Sequence, residues 1–162
     1  MITNRKMKLK KACEAYKDYF AENNIRDTEC TLINLDDDNI PECIYGGYDI
    51  KLLRYVNVEV ISKEFLTGGE NVFSYKEKEG KYKVLCRASR YSGYYLGNLN
   101  TAQEEKGGIA YSEGYESVEK CEINGKSVSE DEYNKYIDSL DGYADVSLDY
   151  NSIEEAYEAL VN

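Results

Sequence analysis

The residues of this chain best equipped for chemistry lie in one short stretch, "NLDDDNIPE", residues 34–42. Asn34, Asp36 and Asp38 stand at alternate positions, the carbonyl of Ile40 follows, and Glu42 closes the run. Calcium takes six to eight oxygen ligands, several of them charged. Alternate side chains of a tight loop can converge on such an ion, with Asp37 pointing outward. Asn39 stands where the loop must turn sharply, and Asn is the non-glycine residue best suited to positive φ. The other reading is an acidic turn between two strands that needs no ion, since Asp and Asn form turns unaided. If a metal binds, its expected role is to brace the hairpin, because no second ion site or nucleophile lies nearby in sequence.

Other reactive constellations are few. The chain has no histidine, which excludes Ser-His-Asp and Cys-His machinery. It has no phosphate-cradling glycine motif of the P-loop or dinucleotide-binding type. Paired carboxylates can run a hydrolysis, but among 31 acids some pair always looks suggestive. The five cysteines, Cys13, Cys30, Cys43, Cys86 and Cys121, lie far apart with no C-x-x-C pair. Clustered zinc ligation is therefore not expected, and buried free thiols are the simplest reading. No cofactor other than a structural calcium is expected.

Two surfaces are candidates for recognition. "SRYSGYYLGN" combines Arg90 with Tyr91, Tyr94 and Tyr95, a mix suited to an interface. It also fits tyrosines alternating in a half-buried strand. The second candidate is electrostatic. Residues 1–112 carry 17 acids and 17 bases, whereas residues 113–162 carry 14 acids and 3 bases. The first 11 residues hold five bases and no acid. An acidic surface repels nucleic acid, so direct DNA or RNA binding is disfavoured. It attracts a partner with a basic surface, or it simply keeps the chain in solution. Helical spacing sets Glu130, Asp131, Asp138, Glu154, Glu155 and Glu158 on outward faces.

The elements that must position these residues read as one α+β domain over residues 1–162. Leu9, Ala12, Cys13, Tyr16, Tyr19 and Phe20 recur at helical spacing and predict a helix over 5–22. From residue 30 to 124 the pattern changes to short alternating strands with tight connections, which predicts an antiparallel β-meander. Lys78–Gly80 and Asn124–Gly125 are turn signals. Helices return in the acidic end, 129–162, where Ser129 with Glu132 and Ser152 with Glu155 have the spacing of capping boxes. No apolar run reaches transmembrane length, so membrane insertion is not expected. No signal peptide is visible in the chain as written. A cytoplasmic location is therefore expected, or an extracellular or lipoprotein-derived one if a leader has been removed.

The stretch "LINLDDDNIPECIY" resembles the hydrophobic–D-x-D-G-D-G-x-P-E–hydrophobic loop of small proteins from gut Firmicutes, and more distantly the calcium loops of FG-GAP-like repeats. The helix "EAYKDYFAENN" and the segment "INGKSVSEDEYNKYI" are similar to corresponding parts of the same proteins, as are the Tyr/Gly-rich strands. The resemblance implies a calcium loop and export, and it implies no activity. The chain departs from the pattern at Asn34 and Asn39. Together these features predict a non-enzymatic protein-interaction domain acting through an acidic and Tyr-rich surface. One alternative is an acidic inhibitor of a nucleic-acid enzyme, of the phage anti-defence or nucleic-acid-mimic type. Another is a carboxylate-based surface hydrolase.

Overall fold

The computed structural model describes residues 4–26, 28–46, 49–65 and 69–162. Positions 47–48 and 66–68 of the predicted meander lie outside the described residues. The first helix, α1 (Asn4–Glu22), buries Ala12, Cys13 and Tyr16. It stops at Asn24, whose φ of 55° turns the chain out of the helix. The amide of Ile25 then donates to the Phe20 carbonyl at 2.8 Å and that of Asn24 to Ala21 at 3.3 Å. This paired closure satisfies carbonyls that the helix end leaves open.

The strands form two sheets. β1 (Cys30–Ile33), β2 (Glu42–Tyr45), β3 (Lys51–Val56) and β4 (Glu59–Glu64) pair in chain order. β5 (Glu70–Tyr75), β6 (Lys81–Ala88), β7 (Tyr91–Asn98), β8 (Gln103–Tyr111) and β9 (Val118–Ile123) continue as a second meander. Short β10 (Lys126–Ser127) and β11 (Ala144–Asp145) close its two margins. All pairings are antiparallel. The predicted meander is thus present, but divided into two sheets. The division gives the apolar faces of both sheets a partner. Ile44 and Leu52 of the first sheet, with Leu35 and Phe65, pack against Phe73, Tyr82 and Val84 of the second. Each such side chain contributes about 1.5–3 kcal/mol on burial.

The outer faces take the helices. α1 and α3 (Ile153–Val161) cover the first sheet through Tyr16, Cys30, Cys43, Leu53, Ile153 and Ala156. α2 (Glu130–Asp138) covers part of the second through Tyr94, Ile109, Cys121 and Tyr133. The layers run helix, sheet, sheet, helix. Both late helices start where the capping spacing predicts. The Ser129 hydroxyl accepts from the Glu132 amide at 3.1 Å, and Ser152 accepts from Glu155 at 3.1 Å. Asn124 and Gly125 have φ of 48° and 81°, the double positive φ of a tight hairpin turn.

The Tyr/Gly-rich strands have a steric logic. Tyr82 stands opposite Gly97 and Tyr94 opposite Gly107 across neighbouring strands. A Cβ at Gly97 would meet the Tyr82 ring at 2.1 Å, and one at Gly107 the Tyr94 ring at 2.5 Å. The glycines leave the room that the rings fill. No helix among the described residues is long and apolar enough to cross a membrane.

Candidate functional site

The acidic stretch forms the tip of the β1–β2 hairpin. Successive side chains fold back on the backbone ahead of them. Asp36 Oδ1 accepts from the Asp38 amide at 3.2 Å, and Asp38 Oδ1 accepts from the Ile40 amide at 2.8 Å. Asn39 then takes φ of 63°, as the sharp turn requires. Glu42 is 2% exposed, and its Oε2 accepts from the Leu35 amide at 2.8 Å, closing the loop's base.

Three neighbouring elements hold this tip. The Tyr16 hydroxyl, from α1, donates to the Pro41 carbonyl at 2.7 Å. The Arg54 guanidinium, from β3, pairs with Asp36 Oδ2 at 3.1 Å. The turn between β5 and β6 docks its Lys78 and Gly80 amides on the Asn34 and Leu35 carbonyls, at 3.3 Å and 2.7 Å. The tip therefore joins the first helix and both sheets.

Asp36, Asp38 and Glu42 bring their carboxylate oxygens within 4.8 Å of one another. Burial, followed by the charges of Asp36 and Asp38, pushes the Glu42 carboxyl up to about 8. Asp38 is raised to about 6, first by desolvation and then by its hydrogen bond with Asp36. Crowded carboxylates hold protons because like charges in a poorly hydrated site oppose ionisation. Arg54 pairs directly with Asp36, and its charge partly counters the upward shift of Asp38 and Glu42. The side-chain oxygen of Asn34 is buried without a hydrogen-bond partner.

This donor set fits calcium in its chemistry: three convergent carboxylates and more negative charge than Arg54 offsets. Asp36, Asp38 and Glu42 would hold the ion; the Asn34 side chain and the Ile40 carbonyl are further oxygens expected from the sequence alone. A bound ion would supply the positive charge that now comes from Arg54 and from retained protons.

No family model matches the chain, and neither a curated protein nor a solved structure matches it.

The tyrosine set does not form a shared surface. Tyr94 and Tyr95 are consecutive in β7 and so point to opposite faces of the sheet. Tyr94 is 0% exposed under α2, and its hydroxyl donates to Glu105 at 2.7 Å. Tyr136 from α2 donates to the same Glu105 oxygen at 2.5 Å. Tyr95 packs between the sheets against Phe65 and Tyr82. Tyr91 is half-buried, with its ring lying where Cβ atoms at Gly93 and Gly108 would be. Arg90 remains exposed in the β6–β7 turn. Strand alternation thus uses these rings to build cores, and Tyr94 is withdrawn from any partner.

The acidic residues divide into two groups. Glu154 and Glu158 of α3 line a cleft shared with Lys10, Glu14 and Lys17 of α1. Glu155 turns back to accept from the Asn151 amide at 3.0 Å, completing the α3 cap. The acid of α3 therefore lies beside the chain's own basic helix. On α2, Glu130, Asp131 and Asp138 are exposed, and Glu130 accepts from the Tyr111 hydroxyl at 3.0 Å. The ion pairs among the described residues are Lys51–Glu64, Arg54–Asp36, Lys63–Glu104 and Lys120–Glu122. None reaches α2.

Sequence reasoning missed Arg54, because nothing near residue 54 signals a partner 18 positions earlier. It also missed the open groove beside α2, which exists only because a nine-residue helix is too short to cover the sheet.

Proposed function

We propose that this chain is a non-enzymatic protein-interaction domain that engages the basic surface of a partner through the acidic face of α2. The observation that carries this reading is the exposure of Glu130, Asp131 and Asp138 on α2, with no ion pair to that helix among the described residues. Glu154 and Glu158 on α3 are exposed too, but they share a cleft with Lys10 and Lys17, as well as Glu14, of α1, whose net positive charge offsets part of their field. The absence of histidine from the sequence favours a binding role over the commonest acid–base chemistry. The hairpin tip supports the same role by fixing α1 and both sheets in register, with calcium as its proposed brace.

The test separates location from bulk charge. A fluorescent oligolysine peptide is titrated at low salt against the parent chain, Asp131→Lys/Asp138→Lys and Glu154→Lys/Glu158→Lys. The two variants change net charge equally. Binding is expected to fall steeply in the α2 variant, to survive in the α3 variant and to weaken with salt. Equal losses in both variants would mean that only net charge matters and would remove the assigned site.

A further inference from the structure

The outer face of the second sheet is left open beside α2. A groove of about 410 Å³ runs there, floored by Val72 and Leu85 and walled by Tyr133, Ile137 and Asp138 of α2. Val72 is 42% exposed, because α2 does not reach across the sheet face to cover it. At one end Glu70 faces Arg87 across the β5–β6 pair, so their charges offset. The other charged residue of the wall is Asp138, on a helix that carries Glu130, Asp131, Glu132 and Asp138 against Lys135.

The complement to this groove lies on the same chain. The first two turns of α1 expose Arg5, Lys8, Lys10 and Lys11, with no acid among residues 4–11. Within them Met7 is 43% exposed. Lys11, four residues on, shares the face of Met7, and Lys8 borders it. Lys10 belongs to the cleft with α3, which leaves Met7, Lys8 and Lys11 to face outward. An unbranched apolar side chain set among lysines matches an apolar floor beside acids. Methionine adapts to irregular grooves better than branched residues do.

We infer that the groove beside α2 takes the start of α1 from a second copy of this chain. Met7 enters over Val72 and Ile137, and Lys8 and Lys11 meet Asp138 and its neighbours. This rests on the reading of α2 as a docking face and names its occupant. The two surfaces lie on opposite outer layers of one molecule, α1 over the first sheet and α2 over the second. The contact is therefore heterologous, and copies join head to tail rather than as a closed twofold pair.

Sedimentation velocity of the full chain tests this over a wide concentration range, at low and at high salt. Association that grows with concentration at low salt and fades at high salt is expected. Met7→Glu and Asp138→Lys, both at exposed positions, should each weaken it by about tenfold or more. Met7→Glu keeps an intact groove and Asp138→Lys keeps an intact helix start, so mixing them should restore a one-to-one pair that goes no further. A parent chain that stays monomeric at every concentration overturns the inference. So does association that neither substitution alters. Oligolysine binding then separates the two readings. If a monomeric chain still binds the peptide through Asp131 and Asp138, the acidic face stands and only the second copy is wrong. If it binds neither, both fall.

Discussion

The guanidinium of Arg54 lies 3.1 Å from Asp36 Oδ2 and brings a cation from β3 to a group of three carboxylates on the β1–β2 hairpin. The Asp36 side chain is 5% exposed and that of Arg54 24%, so the pair is largely shielded. Removing one partner of such a pair leaves a charge that water cannot fully reach. Arg54→Met is expected to cost about 3 kcal/mol in chelator, read by urea denaturation. Millimolar calcium should recover part of that loss, and more than it adds to the parent chain, because a ligand selective for the folded state stabilises by mass action. Adding Asp36→Ala and Asp38→Ala should remove the calcium effect. Identical curves with calcium and with chelator in Arg54→Met would leave the tip as a turn closed by hydrogen bonds alone.

The raised carboxyls give a signed pH dependence. Glu42 moves from an ordinary 4.5 to about 8 in the fold, and Asp38 from 3.8 to about 6. Below the ordinary values both folded and unfolded chains hold these protons. As pH rises the unfolded chain releases them first, so folding stability declines across the interval from about 4 to 8 and then levels. The metal-free protein should therefore melt higher at pH 5 than at pH 8. Glu42→Gln, which keeps an oxygen for the Leu35 amide, should flatten much of that slope. Calcium competes with the same protons, so its affinity should rise between pH 6 and pH 8. A metal-free melting temperature that climbs toward pH 8 would contradict the assignment.

A steric prediction concerns the tyrosine–glycine pairs. A methyl group at Gly97 would fall 2.1 Å from the Tyr82 ring, and Tyr82 is 2% exposed between Phe73, Phe65 and Tyr95. The ring has little room to yield. Gly97→Ala should cost about 1–3 kcal/mol in urea denaturation. Gly125→Ala is a contrast, because no atom lies within 4 Å of its Cβ position and the cost there comes from a φ of 81°. Tyr82→Leu in the Gly97→Ala background should be less damaging than the two separate losses added together. Simple additivity would mean that the clash is relieved elsewhere.

What could be read from the sequence was local. Ser129 with Glu132, Ser152 with Glu155, Asn39 at the loop turn and Asn124–Gly125 each act within a few residues. Their spacing states the geometry directly. The α+β order followed from hydrophobic period for the same reason. Long-range relations were hidden. Alternation says that Tyr94 and Tyr95 point to opposite faces, but not that α2 covers one face and the first sheet the other. The acidic end reads as one negative segment, yet α3 lies beside Lys10 and Lys17 while α2 does not. Arg54 sits in an ordinary alternating strand, and only the pairing of β2 with β3 brings it to Asp36.

The thiols report on the same hairpin. All five cysteines are free and buried. Burial pushes Cys13 up to about 12 and raises Cys43 well above its ordinary value, whereas the hydrogen bond with Cys43 lowers Cys30. The thiolate is the reactive form and must also be reached. Cys30 is 0% exposed, so burial protects it where its lowered pKa does not, and the native protein at pH 8 should react slowly with Ellman's reagent and release five equivalents only after denaturation. The residual native rate measures local opening. Cys30 and Cys43 sit in β1 and β2, the strands that carry the acidic tip, and Cys30 shares a hydrogen bond with Cys43. Cys86 and Cys121 belong to the second sheet. Arg54→Met should therefore speed labelling at Cys30 and Cys43 more than at Cys86 and Cys121, and calcium should slow it again at the first pair. Site-resolved mass spectrometry of the labelled peptides separates the two groups. If all five cysteines accelerate together, the tip governs the whole domain rather than its own hairpin. If Cys30 and Cys43 do not change, the Arg54–Asp36 pair has no part in holding the hairpin closed.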